Sequence, residues 1–263
     1  YEIPLRLVGS EMCIRDSSGI GMILAVVLIF WTVNNPALVG ASASSRQLPV
    51  YSVQRDEKVV ALSFDAAWGN EDTQQLIDIL GQYQIPATFF VVGEWVDKYP
   101  ESVKALHDAG HEVMSHSNHH DHYNSLSTQQ IIDDVTASNE RISAVTGVTP
   151  TLIRCPYGEY DDHVIAAIRS MGMEPIQWDV DSLDWKDYDA DTICRRVTSK
   201  VQPGSIVLFH NAALHTPEAL PAILDCLIND GYTVVPISQL ILDPPYTIDH
   251  TGRQFPAETV STT

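Results

Sequence analysis

Short runs with apolar centres recur along this chain, each parted from the next by a segment with helical spacing. The runs are 58–64, 87–92, 111–116, 151–154, 174–179, 205–210 and 232–236. Between them lie 71–82, 101–109, 162–171, 191–200, 217–229 and a long segment from the Ser127-x-x-Gln130 capping box to Gly147. In the first of these, Leu76, Ile79, Leu80 and the following Tyr83 share one helical face. Strands that are apolar on both faces belong in a parallel sheet, covered by helices on its outside. About seven such units predict an α/β fold, a distorted (β/α)7 barrel, whose chemistry would sit at the C-terminal ends of the strands. An open doubly wound sheet is the alternative, but no glycine-rich phosphate loop follows the first run.

Polar residues stand where those runs end: Asp65, His116, Arg154, Asp179 with Asp181, and His210. His120 follows His116 by four residues, so both imidazoles can face one cation if the segment coils after its strand. Asp184 and Trp185 follow Asp181 closely. Alone, each residue reads as a cap, an ion-pair partner or a packed side chain. Converging on one barrel mouth, they predict a metal hydrolase. A cation on histidines polarises a carbonyl, a carboxylate takes a proton from water, and another histidine protonates the leaving group.

Bulk composition narrows the partners. The chain has 263 residues and a formal charge of −19, so nucleic acid and anionic lipid headgroups are poor matches. Cys155, Cys194 and Cys226 are widely spaced with no CxxC, which predicts neither a disulfide framework nor a cysteine zinc site. Residues 1–17 resemble a translated sequencing adapter and are set aside from fold reasoning. Gly19 to Val33 is a run of fifteen uncharged, mostly apolar residues, short of the roughly 20 that span a bilayer. Residues 18–36 are therefore expected to be a signal peptide or N-terminal membrane anchor, with Ala41-Ser42-Ala43 shaped like a cleavage site. Either reading places the remainder outside the cytoplasm, secreted or membrane-anchored through this segment. Residues 37–55 read as a linker, 56–243 as the folded domain and 244–263 as an irregular tail.

Five ordered motifs carry a resemblance. They are Ser63-Phe64-Asp65-Ala66-Ala67-Trp68-Gly69, His116-Ser117-x-x-His120, Arg154-Cys155-Pro156-Tyr157-Gly158, Asp181-Ser182-Leu183-Asp184-Trp185 and Leu208-Phe209-His210. The chain resembles the polysaccharide deacetylase (NodB homology) family, carbohydrate esterase family 4, and most of all its sporulation-type, membrane-anchored members. The resemblance implies hydrolysis of N-acetyl groups on chitin-like or peptidoglycan sugars. It implies Asp65 as general base, Arg154 as its holder, His210 as acid, and Asp184 or Asp181 tuning that acid. It also implies a divalent metal, zinc or cobalt-like, on His116 and His120. Tyr157, Trp185 and Leu208 would wall the acetyl pocket, with the Tyr157 N–H on the oxyanion. One position departs: the family's second motif-one Asp, the third metal ligand, is Ala66 here. Two protein ligands fall below the three expected of catalytic zinc. The competing expectation is therefore a glycan-binding or scaffold protein of the same fold.

Overall fold

The computed structural model describes residues 46–257. The expectations for the adapter-like start, the apolar segment 18–36 and the last six residues lie outside the described residues. In order come β1 (Ser52–Val53), β2 (Val59–Ala66), α1 (Thr73–Gln82), β3 (Thr88–Val91), α2 (Gly93–Lys98) and α3 (Pro100–Asp108). They are followed by β4 (Glu112–Ser115), α4 (Thr128–Thr146), β5 (Leu152–Ile153), α5 (Asp162–Ser170), β6 (Glu174–Pro175), β7 (Val180–Asp181) and α6 (Ala190–Thr198). The chain continues through β8 (Ile206–His210), α7 (Thr216–Asn229), β9 (Thr233–Val234), α8 (Ile237–Leu240), β10 (Tyr246–Ile248) and β11 (Arg253–Pro256). Among these described helices, none is long and apolar enough to cross a membrane.

Local chemistry sets the helix ends. Ser127 accepts from the Gln130 N–H while the Gln130 side chain reaches back, and Gly147 closes α4 in a left-handed conformation (φ 75°). Asp161 and Asp189 cap α5 and α6 by accepting from N–H groups of their first turns.

The main sheet runs β6-β5-β4-β3-β2-β8-β7, with β9 beside the start of β2. Every pairing in it is parallel. Its two edges, β6 and β7, are consecutive in sequence and joined by residues 176–179, and the segment before β2 lies between them, Val50 bridging Ile176 and Ser52 bridging Ser205. The apolar run 174–179 is thus divided between two neighbours. Its first residues pair with β5, and pairing with β8 begins only at Val180.

Period-two alternation sorts β2. Val60, Leu62, Phe64 and Ala66 join the core beneath the helices, with Phe89, Val91, Val207 and Phe209. Ala61 joins the other cluster with Phe90, Met114, Leu152 and Ile206. Ser63 and Asp65 share Ala61's parity, and that parity carries Asp65 into the inner face at the end of the strand.

Both ends of the domain differ from expectation. Residues 50–53 are no linker: Val50 and Val53 are buried with Ile237 and Leu240, and β1 pairs with β11. Nor is the tail irregular through Pro256, since β10 and β11 form an antiparallel pair beside β1. These strands lack apolar alternation and are held by backbone pairing and by Gln254, whose Oε1 accepts from the Leu242 N–H at 2.8 Å. Asp179 also departs from its expected place. Its carboxylate accepts from the Ile206 N–H and the Ser205 hydroxyl, both at 2.9 Å, and so fixes the start of β8, away from the strand ends where chemistry was expected.

Candidate active site

Asp65 lies at the end of β2, His210 ends the adjacent β8, and His116 follows β4, which is parted from β2 by β3; their side chains open on one cavity of about 450 Å³. Ala67, Trp68, His120, Tyr157, Trp178, Asp181, Trp185 and Leu208 complete most of its wall. The cavity lies where the segments after β2, β4, β5, β6 and β7 converge on the end of β8.

Arg154 anchors the floor. It is fully buried and donates from Nη1 to Asp65 Oδ1 at 2.7 Å. Its Nη2 donates to the Ser63 hydroxyl at 2.9 Å and to the Gln177 carbonyl at 3.2 Å, and its guanidinium lies over the Phe90 ring. Ser63 Oγ in turn donates to the Val207 carbonyl. A buried arginine is tolerable only with such a set of partners. Burial alone would raise the Asp65 pKa, but the positive charge of Arg154, helped by His210, holds it below the ordinary carboxylate value. Asp65 therefore stands ionised in a nearly dry place.

Across the cavity, Asp184 holds His210 by two atoms. Its Oδ1 accepts from His210 Nδ1 and its Oδ2 from the His210 backbone N–H, both at 2.8 Å. Thr216, at the start of α7, donates to the same Oδ2 at 2.7 Å, and the Trp185 N–H donates to Oδ1. Burial pushes the imidazole pKa down, yet the hydrogen bond and charge of Asp184 outweigh it and raise the value above normal. Because Nδ1 is engaged by Asp184, Nε2 is left toward the cavity. Asp181 lines the cavity as well, but its carboxylate accepts from the Leu183 N–H at 2.8 Å and makes no hydrogen bond to His210. Of the two candidate tuners, the direct partner is Asp184.

The histidine pair does converge. Ser117 (φ 70°) and His120 (φ 60°) bend the segment after β4 through left-handed positions, bringing the two rings to 4.9 Å between centroids. Burial lowers the His116 pKa, so the ring is neutral, and its Nδ1–H donates to the Arg154 carbonyl at 2.7 Å. His116 Nε2 then turns a lone pair to the cavity, 3.6 Å from Asp65 Oδ2. Burial, with His116 beside it, lowers His120 to about 4, and its Nδ1 is buried without a partner. Two imidazoles are thus ready as metal donors. A third is missing. Ala66 is 1% exposed and packs in the helix-side core, and among the described residues no group of three His, Cys, Asp or Glu is placed to hold an ion. The donor set does not fit a three-ligand catalytic metal.

Walls come from the expected residues and from others. Tyr157 adopts a left-handed backbone (φ 58°), stacks on His122 at 4.2 Å and meets His120 edge-on. Leu208 is buried on β8. Trp185 stands exposed on the turn after Asp184. Sequence reasoning gave no site role to Trp68, Trp178, Ser63 or Thr216. Ser63 and Trp68 were visible inside the first motif, whereas nothing local marks Trp178 or Thr216.

Comparison with known proteins agrees with this fold. Residues 52–176 match the polysaccharide deacetylase family. The chain is 35% identical over 189 residues to peptidoglycan-N-acetylmuramic acid deacetylase PdaC of Bacillus subtilis, covering 72% of this chain and 40% of that one. Against peptidoglycan-N-acetylmuramic acid deacetylase PdaA of the same organism it is 30% identical over 195 residues, covering 71% of this chain and 73% of the relative. Among solved structures it superposes on a wild-type CE4-family pseudoenzyme from Bacillus anthracis with a TM-score of 0.71 and 35% identity, covering 73% and 68% of the two chains. The chain spans between 40% and 60% of three such curated relatives' length. On this similarity, with the curled parallel sheet and the site it carries, the chain belongs to the polysaccharide deacetylase family, carbohydrate esterase family 4.

Proposed function

We propose that this chain hydrolyses N-acetyl groups on cell-wall polysaccharide, peptidoglycan or a chitin-like glycan, outside the cytoplasm. The observation that carries the reading is the pairing of an ionised Asp65, fixed by Arg154, with a proton-bearing His210, fixed by Asp184, on one cavity. The domain doing this is 56–243, joined by β1, β10 and β11. The apolar segment 18–36 would export or anchor it, as in the sporulation-type members.

Chemistry follows from the two pairs. Asp65 takes a proton from a water molecule as that oxygen attacks the acetamide carbonyl carbon. Charge developing on the carbonyl oxygen is met by the Tyr157 N–H. His210 then gives its proton to the departing nitrogen, so amide and water become acetate and amine. Leu208, Tyr157 and Trp185 hold the acetyl group and keep bulk water out.

Deacetylases of this family are generally metal-dependent. Here a divalent cation would rest on His116 and His120, but the side chains present do not complete its shell, and no step above is routed through it. That shortfall, with the likeness to a CE4-family pseudoenzyme, favours a second reading: a glycan-binding protein with weakened or absent turnover.

Acetate release from N-acetylglucosamine oligomers and from peptidoglycan, with and without added zinc, separates the two. Release abolished by Asp65→Asn or His210→Ala supports hydrolysis. Glycan binding without release, in a folded protein, supports the second reading.

A further inference from the structure

Seven large hydrophobic side chains are exposed among the described residues: Trp68, Val148, Tyr157, Trp185, Tyr188, Leu214 and Ile228. Three of these, Trp68, Tyr157 and Trp185, line the cavity, on the loops that follow β2, β5 and β7. Those are the loops that build the cavity mouth. A soluble surface scatters its exposed apolar residues, so their gathering around one opening marks a binding rim.

Trp68 is the least explained member. Its side chain is 65% exposed, yet it lines the cavity and meets the His120 ring edge-on at 5.0 Å. Its backbone is not loose. Asn211 Nδ2 donates to the carbonyls of both Trp68 and Gly69 at 2.8 Å, and Trp95 Nε1 also donates to Gly69. The Asn211 N–H donates to the Asp65 carbonyl at 3.0 Å, which ties the loop to the strand end that carries the carboxylate. A backbone held so firmly beneath an indole left so bare presents a prepared face. Pyranose rings carry flat patches of C–H groups that match such a face, whereas their hydroxyls keep the edge wet. The formal charge of −19 suits a partner that brings little negative charge of its own to the rim, as an N-acetylated glycan does.

We propose that Trp68 is a stacking platform for a sugar ring next to the one entering the cavity. The site then takes chains of several N-acetylhexosamines rather than a single sugar. This rests on the glycan reading above but does not need turnover. Trp185 and Tyr157, on other loops of the same mouth, extend the apolar rim across the opening, so a chain seated on Trp68 runs over the cavity that contains Asp65 and His210.

Calorimetric titration of the full chain with N-acetylglucosamine oligomers, from monomer to hexamer, tests this without relying on acetate release. Wild type is expected to bind the tetramer at least tenfold more tightly than the monomer. Trp68→Ala should lose most of that gain, and Trp68→Phe should keep much of it, with thermal unfolding unchanged because the indole is exposed. Equal length dependence in wild type and Trp68→Ala overturns the platform and leaves the glycan reading standing. Absence of binding and of deacetylation for every oligomer overturns both.

Discussion

Asp65 Oδ1 and Arg154 Nη1 meet at 2.7 Å although 89 residues separate them in sequence, and neither side chain is more than 7% exposed. Removing one partner of a buried pair leaves the other charged and unsolvated. Arg154→Met is therefore expected to lower stability by about 3–5 kcal/mol in urea unfolding. Arg154→Lys should not restore it, since an ammonium cannot serve Asp65, Ser63 and Gln177 together. A lysine variant as stable as wild type would contradict this account.

The His210–Asp184 contact makes a pH prediction. His210 titrates above its ordinary value in the folded protein because of Asp184. Its contribution to stability is fully present below the unfolded pKa, about 6.5, and is lost as pH rises through the folded value. Asp184→Asn should abolish that loss between neutral and alkaline pH. It should also move the alkaline limb of kcat/KM to lower pH. The pH profiles of wild type and Asp184→Asn, with thermal melts at each pH, provide the check.

Proton transfer is assigned to two side chains, so their removal should be severe and unequal to that of their neighbour. Asp65→Asn and His210→Ala are each expected to lower kcat by roughly 10²–10⁴. Asp181→Asn should change it far less, because the Asp181 carboxylate accepts from the Leu183 N–H. Steady-state acetate release by the three variants decides the point.

Metal should matter little to folding. A site with two imidazoles and a Kd near or above 100 µM gains at most about 0.4 kcal/mol from 100 µM zinc. That is about 1 °C in Tm for a domain of this size. A zinc-induced rise of several degrees in a stripped sample would mean that a third ligand is recruited.

Gly204 holds the start of β8 against β1. It sits at φ +84°, its N–H donates to the Val59 carbonyl, and an added Cβ would collide with the Val53 carbonyl oxygen. Gly204→Ala is expected to destabilise by about 2–4 kcal/mol, through both the strained backbone and the displaced strand. Urea unfolding of this variant beside Gly110→Ala, whose Cβ meets open space at a similar φ, separates collision from strain.

Much of the barrel was legible because its signals are local. Parity along 59–66 alone sends Leu62 and Phe64 outward and Asp65 inward. The capping box at Ser127 and Gln130 fixes where α4 begins. The ends of the domain were not legible. Tyr246 to Pro256 forms strands by backbone pairing with one another and with Ser52–Val53, and backbone pairing leaves no side-chain pattern to read. Asp179 misled for a related reason: it ends an apolar run, but that run is shared between β5 and β8, so its carboxylate faces Ser205 and Ile206.

The sequence by itself determined the alternation of strand and helix and the strand-end positions of Asp65 and His210. Each depends on residue type and spacing along one segment. Tertiary structure alone decided that Arg154 reaches Asp65, that Asp184 rather than Asp181 grips His210, and that Trp68 joins the rim with Trp185 and Tyr157. These are pairings between loops far apart in the chain, and their distances are set by how the sheet curls and which strands lie side by side.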